Sequence, residues 1–200
     1  MFLWIFPTRS SSADIQIEVG ACIGQEACIL MGSSNGDTIF VGEGSCTGTQ
    51  FSCYYLAANN GKSIEIRRGS CQGANSCFTL GLTLTEEVLV ERDSCVGDDA
   101  CQSSGYDAIK IGIGRDSCNG DKACTVIGFS DSQGGLSIER NSCNADSACF
   151  QLGRTMTDSI VVGTNSCNFD FACFTCGDTA GGDIVVPNNF VGSCPPALYP

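Results

Sequence analysis

The sequence predicts an all-β fold: a single-stranded parallel β-solenoid, a right-handed β-helix of about 7–8 coils, each of about 24 residues and stapled by one disulfide. Three observations carry this expectation. Cysteine pairs recur at a nearly constant step along almost the whole chain. A pair of aliphatic residues at period two precedes each cysteine pair, which is the spacing of a strand with one buried face. Apolar residues show no 3.6-residue period, and 25 glycines among 200 residues disfavour helix.

The first cysteine of each unit stands at Cys22, Cys46, Cys71, Cys95, Cys118, Cys143 and Cys167, and the second at Cys28, Cys53, Cys77, Cys101, Cys124, Cys149 and Cys173. Cys194 resumes the first-cysteine column after a longer step. Residues 15–194 therefore form the repeat domain, with an N-terminal extension or truncated leader over 1–14 and a tail over 195–200. Seven and five positions before the first cysteine stand pairs such as Ile39/Val41, Ile64/Ile66, Val88/Val90 and Ile160/Val162, and each reads as a short strand. A weaker alternation follows the second cysteine in Tyr54/Leu56, Phe78/Leu80 and Thr125/Ile127. Beyond it a glycine column (Gly32, Gly81, Gly105, Gly128, Gly153, Gly177) reads as a corner needing positive φ or close backbone approach. A unit this small cannot bury its own aliphatic face. Stacking units at the strand spacing of about 4.8 Å creates an interior of aligned side chains and a rod roughly 35–40 Å long. The right-handed default for parallel crossovers sets the expected hand.

An even count of 16 cysteines at regular spacing favours disulfides and an oxidising compartment. The C-x5-C spacing is wide for zinc, whose paired ligands are usually closer. Free cysteines serving as small core residues are the other alternative. Bonding each second cysteine to the next coil would strand Cys22 and Cys176 at opposite ends of the rod. Pairing within coils leaves no orphan: Cys22–Cys28, Cys46–Cys53, Cys71–Cys77, Cys95–Cys101, Cys118–Cys124, Cys143–Cys149, Cys167–Cys173, and then Cys176–Cys194.

The polar columns are the candidate sites. Asp98, Asp121, Asp146 and Asp170 fall in one column from four successive coils, with Asn119, Asn144 and Asn168 beside them. Asp and Asn in a tight corner are expected to cap their own backbone. The alternative is calcium, held by carboxylates stacked at coil spacing. Arg68, Arg92, Arg115 and Arg140 form a further column, read as a solvated ladder paired with Asp and Glu, or as a stripe for sugar or carboxylate. Thr83/Thr85 and Thr155/Thr157 hint at an ice-binding array, but Asp107/Ile109 and Ser130/Ser132 interrupt it. No catalytic residue is expected. Glu86, Glu87 and Asp131 read as solvated turns, and coils of nearly equal length build no groove of the kind polysaccharide lyases and hydrolases need.

The net charge of −12 and pI near 4.1 repel phosphate backbones and anionic membranes, and histidine is absent. No membrane span is expected, since no run approaches about 18 apolar residues. Partners are expected among glycans, proteins and mineral surfaces, with end-to-end self-association as a further expectation.

The unit Ser117-Cys118-Asn119-Gly120-Asp121-Lys122-Ala123-Cys124, with Ile111 and Ile113 before it and Gly128 after, resembles the cysteine-rich solenoid repeats of predicted secreted proteins in diatoms and related algae. The resemblance spans residues 13–194 and is closest at 94–101, 117–124 and 142–149. It implies a parallel β-helix in a secreted or cell-surface setting and carries no residue roles. The expected function is a rigid, non-catalytic extracellular rod acting as a structural, adhesive or recognition module.

Overall fold

The structure, a computed structural model, describes residues 15–29, 38–56, 62–80, 86–106, 109–129, 135–152, 159–174, 176 and 183–192. The expected extension and tail lie outside these residues. Twelve strands follow in chain order: β1 (Ile15–Ile17), β2 (Ile39–Val41), β3 (Tyr55–Leu56), β4 (Lys62–Ile66), β5 (Thr79–Leu80), β6 (Glu86–Val90), β7 (Ser104–Tyr106), β8 (Ile109–Ile113), β9 (Ile127–Phe129), β10 (Leu136–Ile138), β11 (Ile160–Val162) and β12 (Ile184–Val186). Eight of them make one parallel sheet in the order β1-β2-β4-β6-β8-β10-β11-β12. The other four make a second sheet, β3-β5-β7-β9. Each strand pairs with its equivalent in the next coil, Ile39 against Ile64 and Ile64 against Val88, which defines a parallel β-solenoid.

The period-two pairs point inward. Ile39, Val41, Ile66, Val88, Val90, Ile113 and Val162 are fully buried, and Leu56, Leu80, Ile127 and Leu152 approach from the opposite face. Because stacking repeats the same position in every coil, the core is a set of aliphatic ladders flanked by a ladder of disulfides.

Two features differ from the sequence expectation. Gly105 and Gly128 lie inside β7 and β9 rather than at a corner, and the other four glycines of that column lie outside the described residues. The close approach occurs instead two positions after the first cysteine, at Gly24, Gly48, Gly73, Gly97 and Gly120, with Ala145 and Phe169 in the last two coils. A Cβ on Gly73 would strike the carbonyl oxygen of Gly97, and one on Gly97 would lie 2.6 Å from that of Gly120. The bond from this position to its Cβ therefore points along the rod axis into the following coil.

The second difference is the register of the last coil. The Val191 site, not Cys194, continues the first-cysteine column: β12 pairs Ile184 with Ile160, and the Cys167 amide donates to the Phe190 carbonyl as Cys143 does to Ser166. The Cys173 amide then donates to Gly192. Two residues thus do the bonding that a full corner does elsewhere, so the chain cuts across where the next corner would stand. The residue facing that gap is Phe169, which occupies the glycine position and is 56% exposed. Among the described residues no corner stacks above it, which leaves room for a bulky side chain.

The carboxylate of Asp183 ties this last coil to β11. It accepts from the Ser159 hydroxyl at 2.5 Å and the Ser159 amide at 3.1 Å. These bonds, the hydroxyl's first, hold its pKa below the ordinary value.

Two predictions follow from this geometry. Gly73→Ala combines a φ of +140° with a backbone clash and should lower stability by about 2–4 kcal/mol in denaturant unfolding. Gly112→Ala, whose Cβ meets nothing within 4 Å, should change it by less than about 0.5 kcal/mol. A depressed Asp183 pKa means that its stabilisation is complete above the unfolded value of about 3.9 and is lost as pH falls through the lower folded value. Acidification should therefore speed amide exchange in β12 relative to β8, and Asp183→Asn should abolish that relative change.

Candidate functional site

Each corner begins two residues before the first cysteine and ends at the second. Seven disulfides close within their own coils, from Cys22–Cys28 to Cys167–Cys173, with Cα–Cα separations of 5.5–5.7 Å. Cys176 is buried and disulfide-bonded, and Cys194 lies outside the described residues.

Both cysteines of every one of these seven pairs sit in the left-handed region, with φ of 52–59°. The residue two before the first cysteine does so too, which explains why Gly20, Gly44 and Gly69 give way to Asp93, Asp116, Asn141 and Asn165 in later coils. These are the residue types that tolerate this backbone best. The left-handed residues alternate the direction of the amide. The Cys118 amide donates forward to Ser142, whereas the Asp116 amide donates back to Arg92. A corner is thereby bonded to both of its neighbours.

Side chains add three ladders. The buried one is serine. Ser45, Ser70, Ser94, Ser117, Ser142 and Ser166 are wholly inaccessible. The Ser117 hydroxyl donates to the Glu139 carbonyl of the next coil at 2.7 Å and accepts from the Ser142 amide at 3.1 Å. Ser142 repeats both bonds to Gly163 and Ser166, at 2.7 and 3.2 Å. Sequence inspection registers this serine before the cysteine without assigning it a role. Its recurrence is the available signal.

The Asn and Asp columns bond mainly across coils; within a turn, Asn144 Nδ2 also donates to Asn141 Oδ1 at 3.2 Å. Oδ1 of Asn119, Asn144 and Asn168 accepts from the amides of Val96, Asn119 and Asn144, at 2.9–3.0 Å. Their Nδ2 groups donate to the carbonyls of Asp93, Asp116 and Asn141. Oδ1 of Asp98, Asp121 and Asp146 accepts from the amides of Ala74, Asp98 and Asp121, at 2.8–3.0 Å. Asp170 follows in the same column and is exposed. The candidate calcium residues are thus aligned, and in three of them one carboxylate oxygen already caps the preceding coil.

Arg68, Arg92, Arg115 and Arg140 occupy the same position in successive coils, and two of them form ion pairs. Arg68 meets Glu43 at 3.6 Å and Arg115 meets Asp116 at 3.2 Å. One position earlier, Arg67 bonds Glu65 at 2.8 Å, which raises its pKa, and reaches Glu91 at 3.6 Å. Such exposed pairs contribute little stability. Aromatic residues cluster just past the staple, where Tyr54 stacks on Phe78 at 5.4 Å and Phe150 on Phe174 at 5.1 Å. Partial burial raises the Tyr54 pKa. The threonine array lies outside the described residues, as does Asp131, while Glu86 and Glu87 fall within β6.

The serine ladder yields a direct test. Ser117→Ala leaves the buried Ser142 amide and the Glu139 carbonyl without their hydroxyl partner. It should cost about 1–3 kcal/mol in denaturant unfolding with the disulfides intact. Lys122→Ala, at an exposed corner position, is the control for side-chain loss in the same loop.

Among the described residues no helix is long and apolar enough to cross a membrane. No curated protein matches the chain, and no solved structure does. The family described as "Domain of unknown function (DUF7640)" matches residues 47–138 and, overlapping them, residues 85–194. The second match alone spans more than half of the chain, which therefore belongs to the DUF7640 family, its cysteine-stapled coils forming a parallel β-solenoid.

Proposed function

We propose that the protein is a rigid extracellular rod, secreted or held at the cell surface, that serves as a structural, adhesive or recognition module without catalysis. The observation that carries this reading is the double bonding of the corners that follow the first: backbone amides run to both neighbours, and a buried serine hydroxyl adds a further link to the next coil. Seven disulfides within coils suit an oxidising exterior. The resemblance to secreted algal repeats supports the same setting.

A specific alignment favours a second reading, in which calcium or a glycan lies along Asp98, Asp121 and Asp146. Bonding of one oxygen to the preceding coil holds these carboxylates in a line while leaving each a second oxygen.

The test combines shape and binding on the oxidised protein. Small-angle scattering should keep an unchanged maximum dimension up to the unfolding transition, and a glycan and extracellular-protein array should show saturable capture. Loss of the rod dimension well below that transition would sink the structural reading. Release of products from acidic polysaccharides would overturn its non-catalytic character. A melting temperature that rises with calcium and falls with chelator would favour the second reading.

A further inference from the structure

Each disulfide closes within its own coil, yet sulfurs of adjacent coils approach one another. The Sγ atoms of Cys53, Cys71 and Cys77 all lie within 4.8 Å of one another. So do those of Cys124, Cys143 and Cys149, and those of Cys149, Cys167 and Cys173. In each group the second cysteine of one coil faces both sulfurs of the next coil's bridge. Cys149 belongs to two groups, so Cys124, Cys143, Cys149, Cys167 and Cys173 form one continuous run of sulfur across three coils. All of these cysteines are buried, whereas Cys22 and Cys28 are only half-buried.

We propose that this run is an exchange path, along which a thiol produced in one coil passes to the next without unfolding of the rod. Thiol–disulfide exchange needs a thiolate within reach of a disulfide sulfur and leaves the number of disulfides unchanged. Once its own bridge is broken by a small dithiol or phosphine, the Cys124 thiol gives its proton to water or hydroxide. Its sulfur then bonds to Sγ of Cys143 or Cys149. The Cys143–Cys149 bond breaks, and its electron pair leaves with the other sulfur as a new thiolate, which takes a proton from water. The attacking sulfur is oxidised as the leaving sulfur is reduced, so the step needs no outside oxidant or reductant. When Cys143 is the sulfur attacked, the thiol released is Cys149, which faces the Cys167–Cys173 bridge and repeats the reaction. Burial raises a thiol's pKa and so slows the exchange without changing its route. The rod thus redistributes a broken staple among adjacent coils rather than holding the break at one corner, whatever its outer face binds.

The experiment uses full-length Cys118→Ser, which leaves Cys124 with a thiol and no partner in its own coil. After incubation at mildly alkaline pH, the protein is quenched in acid, denatured, labelled with a maleimide at a pH too low for further exchange, and mapped without reduction. The expected result is loss of label from Cys124, its gain at Cys143, Cys149, Cys167 or Cys173, and a bridge joining Cys124 to Cys143 or Cys149. A variant that also carries Cys143→Ser and Cys149→Ser removes the acceptor and should keep its label on Cys124. Label confined to Cys124 in the single variant overturns the proposal, as do bridges between non-adjacent coils, which signal scrambling through the unfolded chain. If Cys118→Ser does not fold, the wild-type protein is treated with substoichiometric phosphine. Bridges between adjacent coils then support the path, and thiols found only as complete pairs from one coil overturn it.

Discussion

The structure depends on a backbone that reverses the sense of its amides inside every corner. A strand already bonds to both neighbours, but a tight turn ordinarily bonds to itself. Here residues in the left-handed region turn successive N–H groups alternately toward the preceding and the following coil. For an ordinary L-residue that conformation costs roughly 1–2 kcal/mol. The disulfide offsets this cost at the two cysteines of each corner, whereas Glu26, Phe51, Lys122, Ser147 and Phe171 adopt the same conformation without a bridge of their own. By the chain-entropy estimate a short closed loop contributes on the order of 2–3 kcal/mol. The staple and the strained backbone therefore explain each other: the bridge confines the turn, and the turn places the bridge against the core.

The same logic orders the polar groups from the inside outward. Serine, innermost, has a short hydroxyl that donates to one group of the next coil and accepts from another, so a wholly buried polar column leaves no unsatisfied atom. Asparagine, further out, has both an acceptor and a donor and bonds twice to the coil before it. Aspartate, outermost, can only accept, and one oxygen suffices for the single amide it meets. The gradient from hydroxyl to amide to carboxylate follows the number of backbone groups available at each depth.

Much of this architecture is legible in the sequence, because stacking copies each position and makes columns visible. Ile39/Val41 and their equivalents show the strand and its buried face, and the cysteine spacing shows one staple per coil. What could not be read depends on the direction of a bond rather than on residue type. Ser117 looks like a polar neighbour of a cysteine until the coil above it is in place. The cross-coil reach of Asn144 and Asp121 was hidden because those residues cap their own turns so often elsewhere. Cys194 suggests a false register for the last coil because it matches the residue type of its column. Ile184 and Val186 already placed the column at Val191. In the candidate site, the Asp column was legible as an alignment but not as a set of hydrogen-bond acceptors.

The glycine two residues past the first cysteine in five of the coils bears on how such chains change length. The coils of Gly24, Gly48, Gly73, Gly97 and Gly120 present a bare backbone to the coil that follows, so any of them can be followed by a copy of another, whereas Ala145 adds a methyl group to its seam. Duplication or deletion of a whole glycine-bearing unit preserves every seam. A unit ending in Phe169 lacks that property, since its ring stands where the next carbonyl would have to fit. Recombination among repeats can thus lengthen or shorten the middle of the array freely, while a copy of the Phe169 unit moved inward would break the seam above it.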